Sequence, residues 1–179
     1  MNERPRFRFD RLLVPIVVIV PIVVIWWWFW CGPSTTLVLV RHADRDGQLD
    51  ALNAAGMARA QELAHAGMKA EFAAIYRSDT NRARDTAAPL AAATGLTPVV
   101  YPANDVASLV ASIFADHRGE KVLVVGHSNT VPDIIRAAGG PVLPEIDAAE
   151  FDNLFVLTVG RCGRRRATLL NLQYGAASP

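Results

Sequence analysis

The chain has 179 residues, with 18 Lys and Arg against 17 Asp and Glu and a formal net charge of +1. That length holds one α/β domain with a real core. The near-balanced charge excludes nucleic acid or an acidic bilayer surface as a partner held by global electrostatics.

Part of the 51% hydrophobic content comes from one segment, Leu12 to Trp30, which carries no charged residue. It is long enough to cross a bilayer as a helix, and membrane helices tolerate interruptions such as Pro15 and Pro21. Trp26, Trp27, Trp28 and Trp30 gather at its far end, as interfacial aromatics do. The run exceeds a signal-peptide core and no small-residue cleavage site follows it, so an uncleaved signal anchor is expected. Arg4, Arg6, Arg8 and Arg11 flank its start against only Glu3 and Asp10, which keeps the N-terminus cytoplasmic. The expected division is a cytoplasmic tail over 1–11, a transmembrane anchor over 12–30, a linker over 31–35 and a domain over 36–179 on the exported (periplasmic or extracellular) side. Cys31 and Cys162 show no metal spacing and indicate no disulfide framework.

Leu37-Val38-Leu39-Val40 reads as a strand buried on both faces, and it runs directly into Arg41-His42. Ligands of open α/β sheets bind beyond the carboxyl ends of the strands, where this pair would sit. A guanidinium there can clamp phosphate oxygens while an imidazole attacks phosphorus. Asn53 is read as the cap of an Ala-rich helix closed near Gly67, followed by a strand over Phe72–Tyr76. Ser78 is read as the cap of a helix that places Arg82 one turn inside and ends at Gly95. Pro98–Tyr101 is a third strand, with Asn104 as cap of a helix over 106–117. Lys121–Val125 is a fourth, ending in Gly126-His127 before a helix to about Ala138. Asn153–Val159 and Ala167–Leu172 read as a closing strand pair, with Arg161, Arg164, Arg165 and Arg166 at a solvated tip or, alternatively, at a contact with anionic lipid or a partner. The alternation predicts a three-layer α/β/α sandwich with a mostly parallel sheet, preceded by one N-terminal transmembrane helix.

Three segments thus carry one chemical theme at one sheet edge: Arg41-His42-Ala43, Ser78 through Ala87, and Gly126-His127-Ser128. In that order they resemble the histidine phosphatase superfamily, the phosphoglycerate mutase-like group, over roughly Thr36 to Tyr174. Ala43 stands where that family more often has Gly. The resemblance implies a metal-independent phosphomonoesterase in which His42 becomes a phosphohistidine. It assigns Arg41, Arg82 and His127 to the phosphoryl oxygens, with His127 working best as a cation. It implies no cofactor and no metal.

The family's proton donor follows the third strand, and among the carboxylates between Arg82 and His127 elimination leaves Asp105. Asp44 is a second candidate, or else a partner for Arg41 or Arg45. The implied partner is a small phosphate ester or a phosphorylated protein, with no nucleic acid. Two alternatives remain: a membrane-tethered phosphate-binding module with little turnover, or a phosphoglycerate-type mutase. Gly126-His127-Ser128 lacks the second Gly of a serine-hydrolase elbow.

Overall fold

The structure is a computed structural model that describes residues 19–26, 31–162 and 164–178. The tail over 1–11 and most of the expected anchor over 12–30 lie outside these residues. Residues 19–26 are helical, and their apolar side chains, Ile22 and Ile25 among them, are exposed. No helix among the described residues is long and apolar enough to cross a membrane.

Strands and helices alternate from β1 (Cys31–Arg41) through α1 (Ala54–Gly67), β2 (Ala74–Ser78), α2 (Asn81–Thr94), β3 (Val99–Tyr101), α3 (Val106–Asp116), β4 (Lys121–Gly126) and α4 (Thr130–Ala137). The chain closes with the hairpin β5 (Asn153–Cys162) and β6 (Arg164–Gln173). They form a six-stranded sheet in the order β3-β2-β4-β1-β5-β6. β3, β2, β4 and β1 run parallel, while β5 and β6 are antiparallel. β1 and β4 are central, so Arg41 lies level with Gly126 and the residues that follow both strands emerge together.

The alternation along the central strands explains the layers. Leu37 and Leu39 of β1, with Val122 and Val124 of β4, face one core shared with Leu109 and Ile113 of α3 and Ile134 and Ile135 of α4. Val40, Leu123 and Val125 face the other, shared with Leu63 of α1 and Ala83, Ala87 and Leu90 of α2. A strand buried on both sides reads as a continuous apolar run, and the observed sandwich follows from that.

Several boundaries shift from the sequence reading. Residues 31–35 are not a free linker: β1 begins at Cys31, because β5 extends past β4 and pairs Thr35 with Val159. The register breaks between Gly32 and Thr35, which accommodates Pro33, a residue without a ladder donor. The second strand runs to Ser78, and Thr80, not Ser78, caps α2 by accepting from the Ala83 N–H. Asp105, not Asn104, caps α3 by accepting from the Ser108 N–H. Asn53 caps α1 as expected, and Gly95 closes α2 with φ +72°. The side chains over 161–165, and with them most of the basic tip, lie outside the described residues.

The loop after β1 is tied down by an ion pair between the buried Arg59 and the partly buried Asp44. Arg59 of α1 donates to Asp44 at 2.6 Å, and its guanidinium also donates to the Tyr174 and Ala176 carbonyls of the C-terminal tail. α1 approaches this loop so closely that a Cβ on Gly56 would overlap the Asp44 carbonyl, so only glycine fits. Arg59→Ala should destabilise the domain by about 1–3 kcal/mol, the usual cost of leaving hydrogen-bonding partners of a buried group without their donor. Urea unfolding of the purified variant checks this; a loss under about 1 kcal/mol would reduce the pair to a surface contact.

Candidate active site

The C-terminal ends of β1, β2 and β4 meet at one edge of the sheet. β1 delivers Arg41 and His42, which are 4% and 2% exposed, and β4 delivers His127 at 8%. β2 leads into α2, whose first turn carries Arg82. The His42 and His127 rings stand edge to face with centroids 5.3 Å apart, and Arg82 Nη2 lies 3.4 Å from His127 Nδ1. The structure therefore brings Arg41, His42, Arg82 and His127 together.

Local hydrogen bonds explain why these side chains are held as they are. His42 Nδ1 lies 2.9 Å from the Ala43 carbonyl, which can only accept. That makes Nδ1 the protonated nitrogen and leaves the lone pair on Nε2. The Ala43 N–H donates to Thr86 Oγ1, and that hydroxyl donates to the Arg82 carbonyl. One threonine thus couples the His42 loop to the turn bearing Arg82. The small residues beside it, Ala83 and Ala87, are fully buried and allow α2 to lie close to the sheet. The His127 N–H donates to Thr130 Oγ1, which fixes the start of α4 against the end of β4.

Arg41 is held by backbone, not by a carboxylate. Its Nη1 donates to the carbonyls of Asp147, Ala148 and Glu150 at 2.7, 3.1 and 2.8 Å, and the guanidinium lies 4.0 Å from the Phe151 ring centroid. These partners come from the segment between α4 and β5, which the sequence reading left without a role. Phe151 also contacts the His42 ring, with centroids 6.0 Å apart. An aromatic just before a predicted strand was the only sequence signal for it.

Three buried polar atoms at this edge have no hydrogen-bond partner: Arg41 Nε, Arg82 Nε and His127 Nε2. Buried donors are normally satisfied, so unpartnered atoms on three residues whose charges all act on His42 mark a candidate place for a further acceptor. Electrostatics agree. Burial, reinforced by Arg41, Arg82 and His127, pushes His42 down to about 3. Burial and the Arg82 guanidinium push His127 down to about 4, against the opposing pull of Asp79. Both imidazoles are neutral at pH 7 beside two permanent cations. The cationic His127 expected from sequence would need the charge of a bound anion to raise it.

Asp105 does not join the four. Its carboxylate caps α3, and it lines a surface hollow with Tyr76, Val99, Tyr101 and Asp116, beside β3 at the sheet's outer edge. Asp44 pairs with Arg59, and with neither Arg41 nor Arg45. The carboxylates whose charge is felt at His127 are Asp79 and Asp50. Both precede Arg82 in the chain, outside the interval between Arg82 and His127. The signal that could have found Asp79 was its place directly after the second strand.

Residues 37–103 match the Histidine phosphatase superfamily (branch 1). No curated protein matches the chain in sequence. Among solved structures, the mycobacterial glucosyl-3-phosphoglycerate phosphatase with VO3 superposes with a TM-score of 0.62 at 21% identity, over 78% of this chain and 99% of that one. The protein histidine phosphatase SixA complexed with tungstate gives a TM-score of 0.62 at 20% identity, over 77% of this chain and 96% of that one. A putative alpha-ribazole-5'-P phosphatase from Escherichia coli gives 0.60 at 18%, over 78% of this chain and 96% of that one. The domain has a histidine phosphatase-like fold, and its segment 37–103 matches that superfamily.

Proposed function

We propose that the chain is a metal-independent phosphomonoesterase that works through a phosphohistidine on His42. The observation that carries this reading is the set of buried, unpartnered polar atoms on Arg41, Arg82 and His127 around a histidine whose Nε2 lone pair is free to attack. His42 Nε2 forms a bond to phosphorus as the bond to the leaving oxygen breaks. Arg41, Arg82 and His127 hold the non-bridging oxygens, whose charge is spread in a loose transition state. Water then attacks the phosphohistidine and returns His42 and inorganic phosphate. Asp79, solvated at the end of β2 and electrostatically linked to His127, is the proposed proton donor to the leaving group, replacing Asp105.

The solved neighbours are described as phosphatases of a sugar phosphoglycerate, of protein phosphohistidine and of a ribazole phosphate. Their common element is the phosphoryl group, which supports a small phosphate ester or a phosphorylated protein as substrate. We further propose that 12–30 anchors the protein in a bilayer with the domain on the exported side. The exposed apolar side chains over 19–26 support this. The first residue of β1, Cys31, lies at the opposite end of that strand from Arg41, roughly 30 Å away. The active edge then opens away from the membrane.

His42→Ala should abolish phosphate release, and Arg82→Ala should raise the barrier by about 2.7–4 kcal/mol, as for loss of one preorganised transition-state contact. Arg84, exposed and paired with Asp85, should cost far less when changed to Ala. Steady-state hydrolysis of an aryl phosphate measures all three, and equal losses at Arg82 and Arg84 would contradict the assignment.

Asp79→Asn should slow alkyl phosphates more than aryl phosphates, whose leaving groups need little protonation. Asp105→Asn should leave that ratio unchanged. A reversed pattern in a leaving-group series would return the acid role to Asp105.

The histidine shifts predict a pH dependence with a definite sign. His42 and His127 have folded values of about 3 and about 4, below the ordinary 6.5. Between those values and 6.5 the unfolded chain binds more protons. Their contribution to stability is therefore complete above 6.5 and lost as pH falls toward 3. Tm should decline across that window in the wild type, and less steeply in His42→Ala. The acid limb of kcat/KM due to His42 should likewise lie near 3; a limb at 6.5 would mean an unperturbed nucleophile.

The orientation is tested with spin labels at Asp46 and Glu120 of the membrane-inserted protein. Asp46 should be the less accessible to a lipid-phase relaxer, and the opposite order would reverse the orientation.

A further inference from the structure

Asp50 lies in the loop after β1, outside every motif of the sequence analysis, yet it reaches the start of α2. Its carboxylate accepts from the Asn81 N–H at 3.0 Å and the Arg82 N–H at 3.3 Å, and from Arg82 Nη1 at 2.9 Å. Thr80 already supplies the side-chain cap of α2. Asp50, from a distant loop, takes up the two N–H groups that Thr80 leaves open, those of Asn81 and Arg82. The two N–H bonds fix the carboxylate, and the carboxylate fixes one terminal nitrogen of Arg82. The other terminal nitrogen, Nη2, is the one that lies 3.4 Å from His127 Nδ1.

A guanidinium can only donate, so His127 Nδ1 in this contact must accept. Burial keeps His127 neutral at pH 7, and a neutral imidazole with an accepting Nδ1 carries its proton on Nε2. Nε2 is the buried atom without a partner. As Nε2–H it offers a donor to an incoming phosphoryl oxygen. In the other tautomer it would present a lone pair to an anion, which is repulsive. The direction of that one proton decides whether His127 attracts or opposes the substrate.

We propose that Asp50 is a positioning residue that, by orienting Arg82, holds His127 in the Nε2–H tautomer needed to receive a phosphoryl oxygen. This rests on the phosphatase reading, but its direct readout does not require turnover. An amide keeps one acceptor oxygen, which can still receive the Asn81 N–H, while its NH2 can only donate, so Arg82 loses its ionic partner. The arginine then has no fixed fork from which to reach His127.

The test is ring nitrogen NMR of His127 in the full-length protein at pH 7, assigned with His127→Gln. Wild type should show the protonated nitrogen coupled to both ring C–H protons, which identifies Nε2. Asp50→Asn should give a mixed or reversed tautomer with little change in Tm, and Asp50→Glu should restore the wild-type pattern at least in part. In parallel, kcat in Asp50→Asn should fall on the order of tenfold, typical of losing the partner that orients a site ligand, with a smaller change in KM. A protonated Nδ1 in wild type, or an unchanged ring spectrum in Asp50→Asn, would overturn the proposal, even where activity drops. A wild type with the expected tautomer but no phosphatase activity would instead overturn the functional reading and leave the positioning role standing.

Discussion

Everything at the active edge depends on holding two guanidiniums beside two imidazoles with only one of the guanidiniums, that of Arg82, paired to a carboxylate, that of Asp50. Like charges this close repel, and a protein can offset that by pairing each with a carboxylate. Here Arg41 is held by three backbone carbonyls and a ring face, which orient it while leaving its charge available. Asp44, the acid nearest in sequence to the pair, is drawn away to Arg59. The imidazoles answer by staying neutral, which removes two of the four positive charges. The result is a site whose field is relieved by binding an anion. The unpartnered Nε atoms of Arg41 and Arg82 are where such an anion would be received.

The fold supplies that arrangement through backbone more than through side-chain bulk. β1 and β4 are adjacent and in register, so Arg41 meets Gly126 and the His42 and His127 loops rise side by side. Thr86 joins the His42 loop to α2, and Gly56 lets α1 approach the same loop from the other side. On the remaining flank the segment before β5 closes over Arg41, and the β5–β6 hairpin anchors that segment to the sheet. Each contact comes from a different element, so the geometry is over-determined. Such redundancy is what a preorganised electrostatic site requires.

How far this could be read from the sequence follows the range of the interactions. Arg41, His42, Arg82 and His127 were legible because each stands at the end of an apolar strand or in the first turn of the helix after it. Both faces of the core were legible in the alternation of Leu37 to Val40 and Val122 to Val125. Caps were misplaced by one or two residues, because Ser78 and Thr80, or Asn104 and Asp105, are equally good capping types and only tertiary packing selects between them. Phe151 and the carbonyls of 147–150 were not legible, since carbonyl acceptors leave no trace in residue type. Asp105 was chosen by chain order, which cannot reveal that its carboxylate already serves Ser108. Asp50 was missed because its partner lies 32 residues away.

The central claim is that His42 becomes covalently phosphorylated. The most direct measurement is rapid acid-free quench of the full-length protein with a phosphorus-labelled aryl phosphate, followed by peptide mapping of the trapped label. The account predicts an acid-labile, base-stable phosphoryl group on the peptide containing His42, formed and discharged within one turnover and absent from His42→Ala. Phosphate release with no such intermediate, or label on any other residue with His42→Ala still active, would contradict it.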